Sequence, residues 1–188
     1  MDITKTTQNN NVVHGHQAGR DIINNYVFDA SQPTTMGCLI QRFKKERESD
    51  VKFQDTLDIL KRYTNPPPGE SVDGLETKLK NSGRSGLLGF AKRAKEVFAK
   101  KLMEHQFSEA AQEIHTFLLA EVFTRFHSLV MPAIQQKKSV EEVNMIVQAA
   151  IIDPVHGLLG DNPLQLHAEE INGMLYFLTG NCHIKWVP

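Results

Sequence analysis

The segment Asn65-Pro66-Pro67-Pro68-Gly69 is the strongest constraint on what this chain can fold into. Three successive prolines remove three backbone donors, and each disfavours the α region at the residue before it, so no helix crosses this point. Hydrophobic spacing is nonetheless helical on both sides. Upstream, from Met36, Leu39, Ile40 and Phe43 recur at i, i+1 and i+4, and Val51, Phe53, Leu57 and Leu60 predict a second segment ending near Tyr63. Downstream, Leu75 and Leu79 predict a short helix before the turn Ser82-Gly83-Arg84-Ser85-Gly86. Leu87, Leu88, Ala91, Ala94, Val97, Phe98 and Leu102 then form one face of an amphipathic helix. A stretch from Ser108 sets Ile114, Phe117, Leu118, Val122, Phe126, Leu129 and Val130 on one side, and Pro132 is expected to end or kink it. Ser139-Val140-Glu141-Glu142 has capping-box spacing, with Val143, Ile146, Val147, Ala150 and Ile151 following. Asp153-Pro154 is expected to close that helix. Ile171, Met174, Leu175 and Leu178 mark a last helix over 167–178, with Thr179-Gly180-Asn181 as its C-cap and Cys182–Trp186 as a short extended tail.

The first 35 residues follow a different rule. They are rich in Asn, Gln and Thr, but Val12-Val13-His14 and Ile22-Ile23 through Tyr26 are β-branched or aromatic runs. Gly15, Gly19 and Asp21 suit the intervening turn, so strand–turn–strand is the expected form. Two strands alone are marginal in water, and their free edges seek partners, the nearest being other copies of the chain. The self-assembly candidates are Val12, Val13, His14, Gly15, Gly19, Arg20, Asp21, Ile22, Ile23 and Tyr26. The expected fold class is therefore mostly α: a β-hairpin appendage over 1–35 and a helical interaction domain over 36–188.

Charge is unevenly spread although it sums to −1. Residues 78–101 carry eight Lys or Arg against Glu96 alone, whereas residues 102–188 carry four against ten acids. Two readings follow. Lys92, Arg93, Lys95, Lys100 and Lys101 form a candidate nucleic-acid face, which would gain from counterion release; alternatively the run pairs with the acidic C-terminal part. Two cysteines in unlike contexts, Cys38 and Cys182, make no disulfide framework, and a reducing cytoplasm is the expected home. No basic-then-apolar leader opens the chain, and its apolar runs are broken within ten residues, so neither secretion nor a membrane span is expected.

The search for chemistry yields little. Gly83-Arg84-Ser85-Gly86-Leu87-Leu88-Gly89 is glycine-rich at a helix start but lacks the Lys-Ser/Thr pair of a phosphate loop, and reads as a turn. His14 and His16, with Cys182 and His183, are too sparse for a metal set. Adjacent Cys182 and His183 make a poor catalytic pair. Glu169 and Glu170 suit a first helical turn better than acid–base work. His105, His115 and His127, spaced ten and twelve apart, make no helical row and are expected at the surface or the core rim. The expectation is no catalysis, no cofactor and no metal.

Gly173-Met174-Leu175-Tyr176-Phe177-Leu178-Thr179-Gly180-Asn181-Cys182-His183-Ile184-Lys185-Trp186 resembles the closing segment of C-terminal domains in bacterial ABC-three-component systems. Gly15-His16-Gln17-Ala18-Gly19-Arg20-Asp21-Ile22-Ile23-Asn24 resembles the short Ala-Gly-Arg-Asp-Ile segments found beside effector and NTPase domains of bacterial conflict systems. The resemblance implies a non-catalytic adaptor in anti-phage defence, coupling to an SMC-like or ABC-type ATPase or to an effector protein. Docking is then expected through the C-terminal unit, with Tyr176, Phe177 and Trp186 as candidates.

Overall fold

The computed structural model describes residues 34–49, 52–53, 55–69 and 73–187. The hairpin expected over 12–26, and with it His14 and His16, lies outside these residues. Every regular element among the described residues is a helix. Helix α1 (Thr35–Arg47) starts where Thr34 Oγ1 accepts the amide of Gly37 at 3.0 Å, and it buries Met36, Ile40 and Phe43. Helix α2 (Asp58–Thr64) is shorter than the spacing predicts, since Phe53 lies in a non-helical stretch whose amide bonds Phe107. It stops at Asn65, whose extended ψ of 144° is what the following Pro66 demands.

After the proline segment come α3 (Leu75–Asn81), a 3₁₀ turn over Ser85–Leu87 and the long helix α4 (Leu88–Glu104). Helix α5 (Glu109–Arg125) is capped by Ser108, whose Oγ accepts from Ala111 at 3.1 Å. It does not end at Pro132. A π turn over Phe126–Val130 leads directly into α6 (Met131–Gln135). The same device follows α7 (Val140–Val147), where a π turn over Gln148–Ile152 carries the chain past Pro154 into α8 (Asp153–Leu158). The expected closure at Asp153-Pro154 is therefore corrected. Widening the last turn before each proline makes room for a ring that a tight i→i−4 ladder excludes. Pro154 cannot donate to Ala150, the carbonyl four residues back, and Arg125 Nη1 reaches that carbonyl at 3.3 Å.

The last helix, α9 (Ala168–Gly180), is the hub. It is buried on nearly every side from Glu170 to Thr179, as an apolar-all-round helix must be. Helix α4 packs along it most extensively, with α5, α3 and α8 around the remainder. The closest approach is at Gly173, where an added Cβ would lie 2.3 Å from the Ala94 carbonyl oxygen and 2.6 Å from Phe98 Cβ. Helix α1 lies on α5. Glu46 accepts from Ser108 Oγ (2.6 Å) and the Ala110 amide, and Arg42 bridges Glu109 and Glu113 at 2.8 Å each. Buried Gln112 ties α2 down by accepting from Leu57 N and donating to the carbonyls of Asp55 and Gln106.

The expectation about membranes needs one qualification. Glu109–Gln135, running through α5 and α6, is long and apolar enough to cross a bilayer by length and composition alone. Here Ile114, Leu118, Val122, Phe126 and Val130 are fully buried in the helical core.

Candidate functional site

The C-terminal tail supplies the floor of the most distinctive corner of the molecule. Helix α9 ends in a reverse turn in which Cys182 takes φ of 66°, the His183 amide bonds Leu178 at 2.9 Å and the Cys182 amide bonds Thr179 at 3.3 Å. This is the bond pattern of a Schellman cap, with cysteine at the left-handed position glycine usually fills. The tail is thus a turn rather than an extended strand. Its polar groups reach across the proline break. Asn181 Nδ2 donates to the carbonyls of Tyr63 and Thr64 at 3.2 Å, and His183 Nε2 bonds the Asn65 carbonyl at 2.9 Å. Burial holds His183 below the usual imidazole range. The chain then folds back so that Trp186 Nε1 donates to Thr179 Oγ1 at 3.1 Å.

Trp186 is walled by rings and one cation. Phe126 meets it edge-on at 5.0 Å, Tyr176 stacks at 6.5 Å and 27°, and Arg84 Cζ lies 4.6 Å from the ring centroid. Phe90 continues the series, edge-on to Tyr176 at 6.0 Å. Arg84 is only 5% exposed, yet its Nη1 donates to nothing stronger than the Ser82 carbonyl and its buried Nε has no acceptor. Among the described residues no carboxylate forms an ion pair with it. Burial lowers the guanidinium's pKa, but a group of this type stays charged. Beside it the surface is bare: Gly86 and Gly89 are exposed with nothing near where a Cβ would stand, Phe90 is 45% exposed, and Val187 is exposed.

None of the three candidate docking residues lies at the surface. Tyr176, Phe177 and Trp186 are all buried, with Phe177 edge-on to Phe98 at 5.3 Å, because the hub helix and the returning tail use their rings inside the fold. What reaches solvent at this corner is Phe90 with Val187, and what lacks a counter-ion is Arg84. Neither Phe90 nor Arg84 stood out in the sequence. Arg84 lies in a glycine-rich turn, and only Trp186 folding back over it gives it meaning.

The basic run is largely engaged. Lys92 and Lys80 both bind Glu76, at 2.8 and 2.7 Å, which pulls that carboxyl down to about 2. Arg93 pairs with Glu169 at 2.9 Å and Lys101 with Glu104 at 3.2 Å. Lys78 donates to the Thr179 carbonyl at 2.7 Å, and Lys95 Nζ sits 2.6 Å from where a Cβ on Gly180 would stand, so both cations serve the negative end of α9. Lys100 is exposed. Pairing with nearby and C-terminal acids is what the structure displays. In the first turn of α9, Glu170 accepts the His167 amide at 2.8 Å, a capping role.

Two further features complete the survey. His115 is fully buried against Phe98 and His105, neither of its ring nitrogens has a partner, and burial drives its pKa to about 3. It is thus a core residue rather than a rim residue. A cleft of about 410 Å³ opens beside His105, lined by Phe43, Arg47, Lys101, Phe107 and Gln165 among others. Neither Cys38 nor Cys182 forms a disulfide, and among the described residues no three metal-ligating side chains cluster.

Among the described residues, then, the protein is an all-helical domain locked by a C-terminal tail whose side chains bind back across the chain. A family model of such a domain, C-terminal domain 9 of the ABC-three component (ABC-3C) systems, matches residues 74–186. The match covers well over half of the chain, and the chain belongs to this family. It begins just before α3 and ends at Trp186, so the likeness carried by the closing segment extends over the whole block from α3 to the tail. No curated protein and no solved structure matches the chain.

Proposed function

We propose that this chain is a non-catalytic adaptor of an ABC-three-component anti-phage system, joining copies of itself through residues 12–26 and docking an SMC-like or ABC-type ATPase, or an effector, through its helical block. What supports the reading is the family match over residues 74–186, taken with a corner that exposes Phe90 and leaves Arg84 without a counter-ion. A family defined as one domain of a multi-component system needs surfaces that recognise other proteins. Nucleic-acid binding is left out of the proposal because Lys92, Arg93 and Lys101 already hold carboxylates, which reduces the counterions they can release. The assembly half is tested on the full chain by light scattering. A mass of two or more protomers is expected, with Val13→Lys and Ile23→Lys together returning it to one; a wild-type mass of one protomer overturns it.

A further inference from the structure

We propose that Arg84 is the receptor for a carboxylate side chain of a partner protein, with Phe90 receiving an apolar residue beside that acid. This rests on the adaptor reading and names the chemistry of its docking contact. The argument begins with the cost of a sealed cation. A guanidinium nine-tenths buried loses most of its hydration, and a partner charge or several hydrogen bonds normally compensate. Arg84 has one carbonyl, the face of Trp186 and a buried Nε with no acceptor. The ring face offsets part of the cost and also fixes the guanidinium plane. A planar donor edge held in one orientation is the geometry that binds a planar carboxylate.

The surroundings select the partner. Tyr176 packs between the Phe90 and Trp186 rings, close enough to Arg84 for each to influence the other's ionisation. Phosphate would call for additional positive charge, but the first two cations along α4, Lys92 and Arg93, are held by Glu76 and Glu169. A single cation on an aromatic floor suits a monoanion. The bare ridge at Gly86 and Gly89 lets another backbone come close, and the half-exposed Phe90 ring offers apolar contact next to the charge.

Trp186 is the only tryptophan in the chain, so its emission reports directly on Arg84. The full chain is titrated at constant ionic strength with sodium acetate, sodium phosphate, sodium chloride and two terminally blocked dipeptides, Glu-Phe and Gln-Phe. Acetate and Glu-Phe are expected to change the emission saturably, Glu-Phe at lower concentration, while chloride and Gln-Phe leave it flat. Arg84→Gln is expected to abolish the saturable change. Phe90→Ala is expected to keep the acetate response and remove the advantage of Glu-Phe. If Arg84→Gln does not fold, the Glu-Phe against Gln-Phe comparison on the wild-type chain still decides. No saturable response to carboxylates, an unchanged response in folded Arg84→Gln, or saturation by phosphate alone would overturn the assignment. A folded Arg84→Gln chain that still binds its ATPase would overturn this contact while leaving the adaptor reading intact.

Discussion

At the scale of single residues, His115 shows what burial does to a titrating group. Its ring lies among apolar and aromatic walls with both nitrogens unpaired, so the fold accepts only the neutral form. An unfolded histidine titrates near 6.5, and the folded one at about 3. Between those values the unfolded chain binds a proton that the native chain refuses. Stability contributed by this site is therefore complete above about pH 6.5 and falls by roughly 1.4 kcal/mol per pH unit as acid is added. Burial displaces neighbouring His105 in the same direction. Replacing His115 by Leu, of similar volume, is expected to flatten this acid dependence and to leave stability at pH 7 equal or higher, since two orphaned nitrogens disappear. Urea midpoints at pH 7, 5 and 4 check it, and an unchanged slope would refute it. Little of this was legible beforehand. Spacing of ten and twelve residues puts His105, His115 and His127 on no common face, and that says nothing about which position another helix will cover. Helix α4, through Phe98, is what seals His115.

At the scale of elements, the α4–α9 crossing governs the core. Gly173 exists to let two backbones meet, because any Cβ there strikes the carbonyl oxygen of Ala94, which cannot swing aside. Gly180 is the useful contrast, since an added methyl meets only the flexible end of Lys95. Gly173→Ala is accordingly expected to destabilise the protein by about 1–3 kcal/mol or more, the cost of overpacking. Gly180→Ala should cost well under that, and equal effects in chemical denaturation would contradict the crossing. The helices themselves were legible because a 3.6-residue apolar period marks the buried face, and the Ser139–Glu142 box acts as a local signal that needs no tertiary help. Pro154 misled, and Pro132 does not end its helix, because a π turn can carry a helix past a proline; at Pro154 a remote partner also helps, Arg125 at Ala150. The tail misled similarly. Its rings looked like an exposed end until the turn at Cys182 brought Trp186 back onto Thr179.

At the scale of the whole molecule, the uneven charge has a mainly internal use. The run over 78–101 binds Glu76, Glu104 and Glu169 and serves the C-terminal end of α9, which accounts for much of its excess. What these internal contacts leave at the Trp186 corner is a buried Arg84 with no counter-ion beside a half-exposed Phe90. Family membership sets that pair in a multi-component system. The resemblance was readable from the closing motif because Gly173, Asn181, His183 and Trp186 each make a contact that few other residues could replace. The Arg84–Phe90 corner was not readable, because it lies where separate segments meet. The most direct test of the adaptor account is isothermal titration of the full chain into a purified SMC-like or ABC-type ATPase of an ABC-three-component system from the same source. The account predicts saturable heat at a fixed stoichiometry, and two folded proteins that mix without binding, with or without nucleotide, would contradict it.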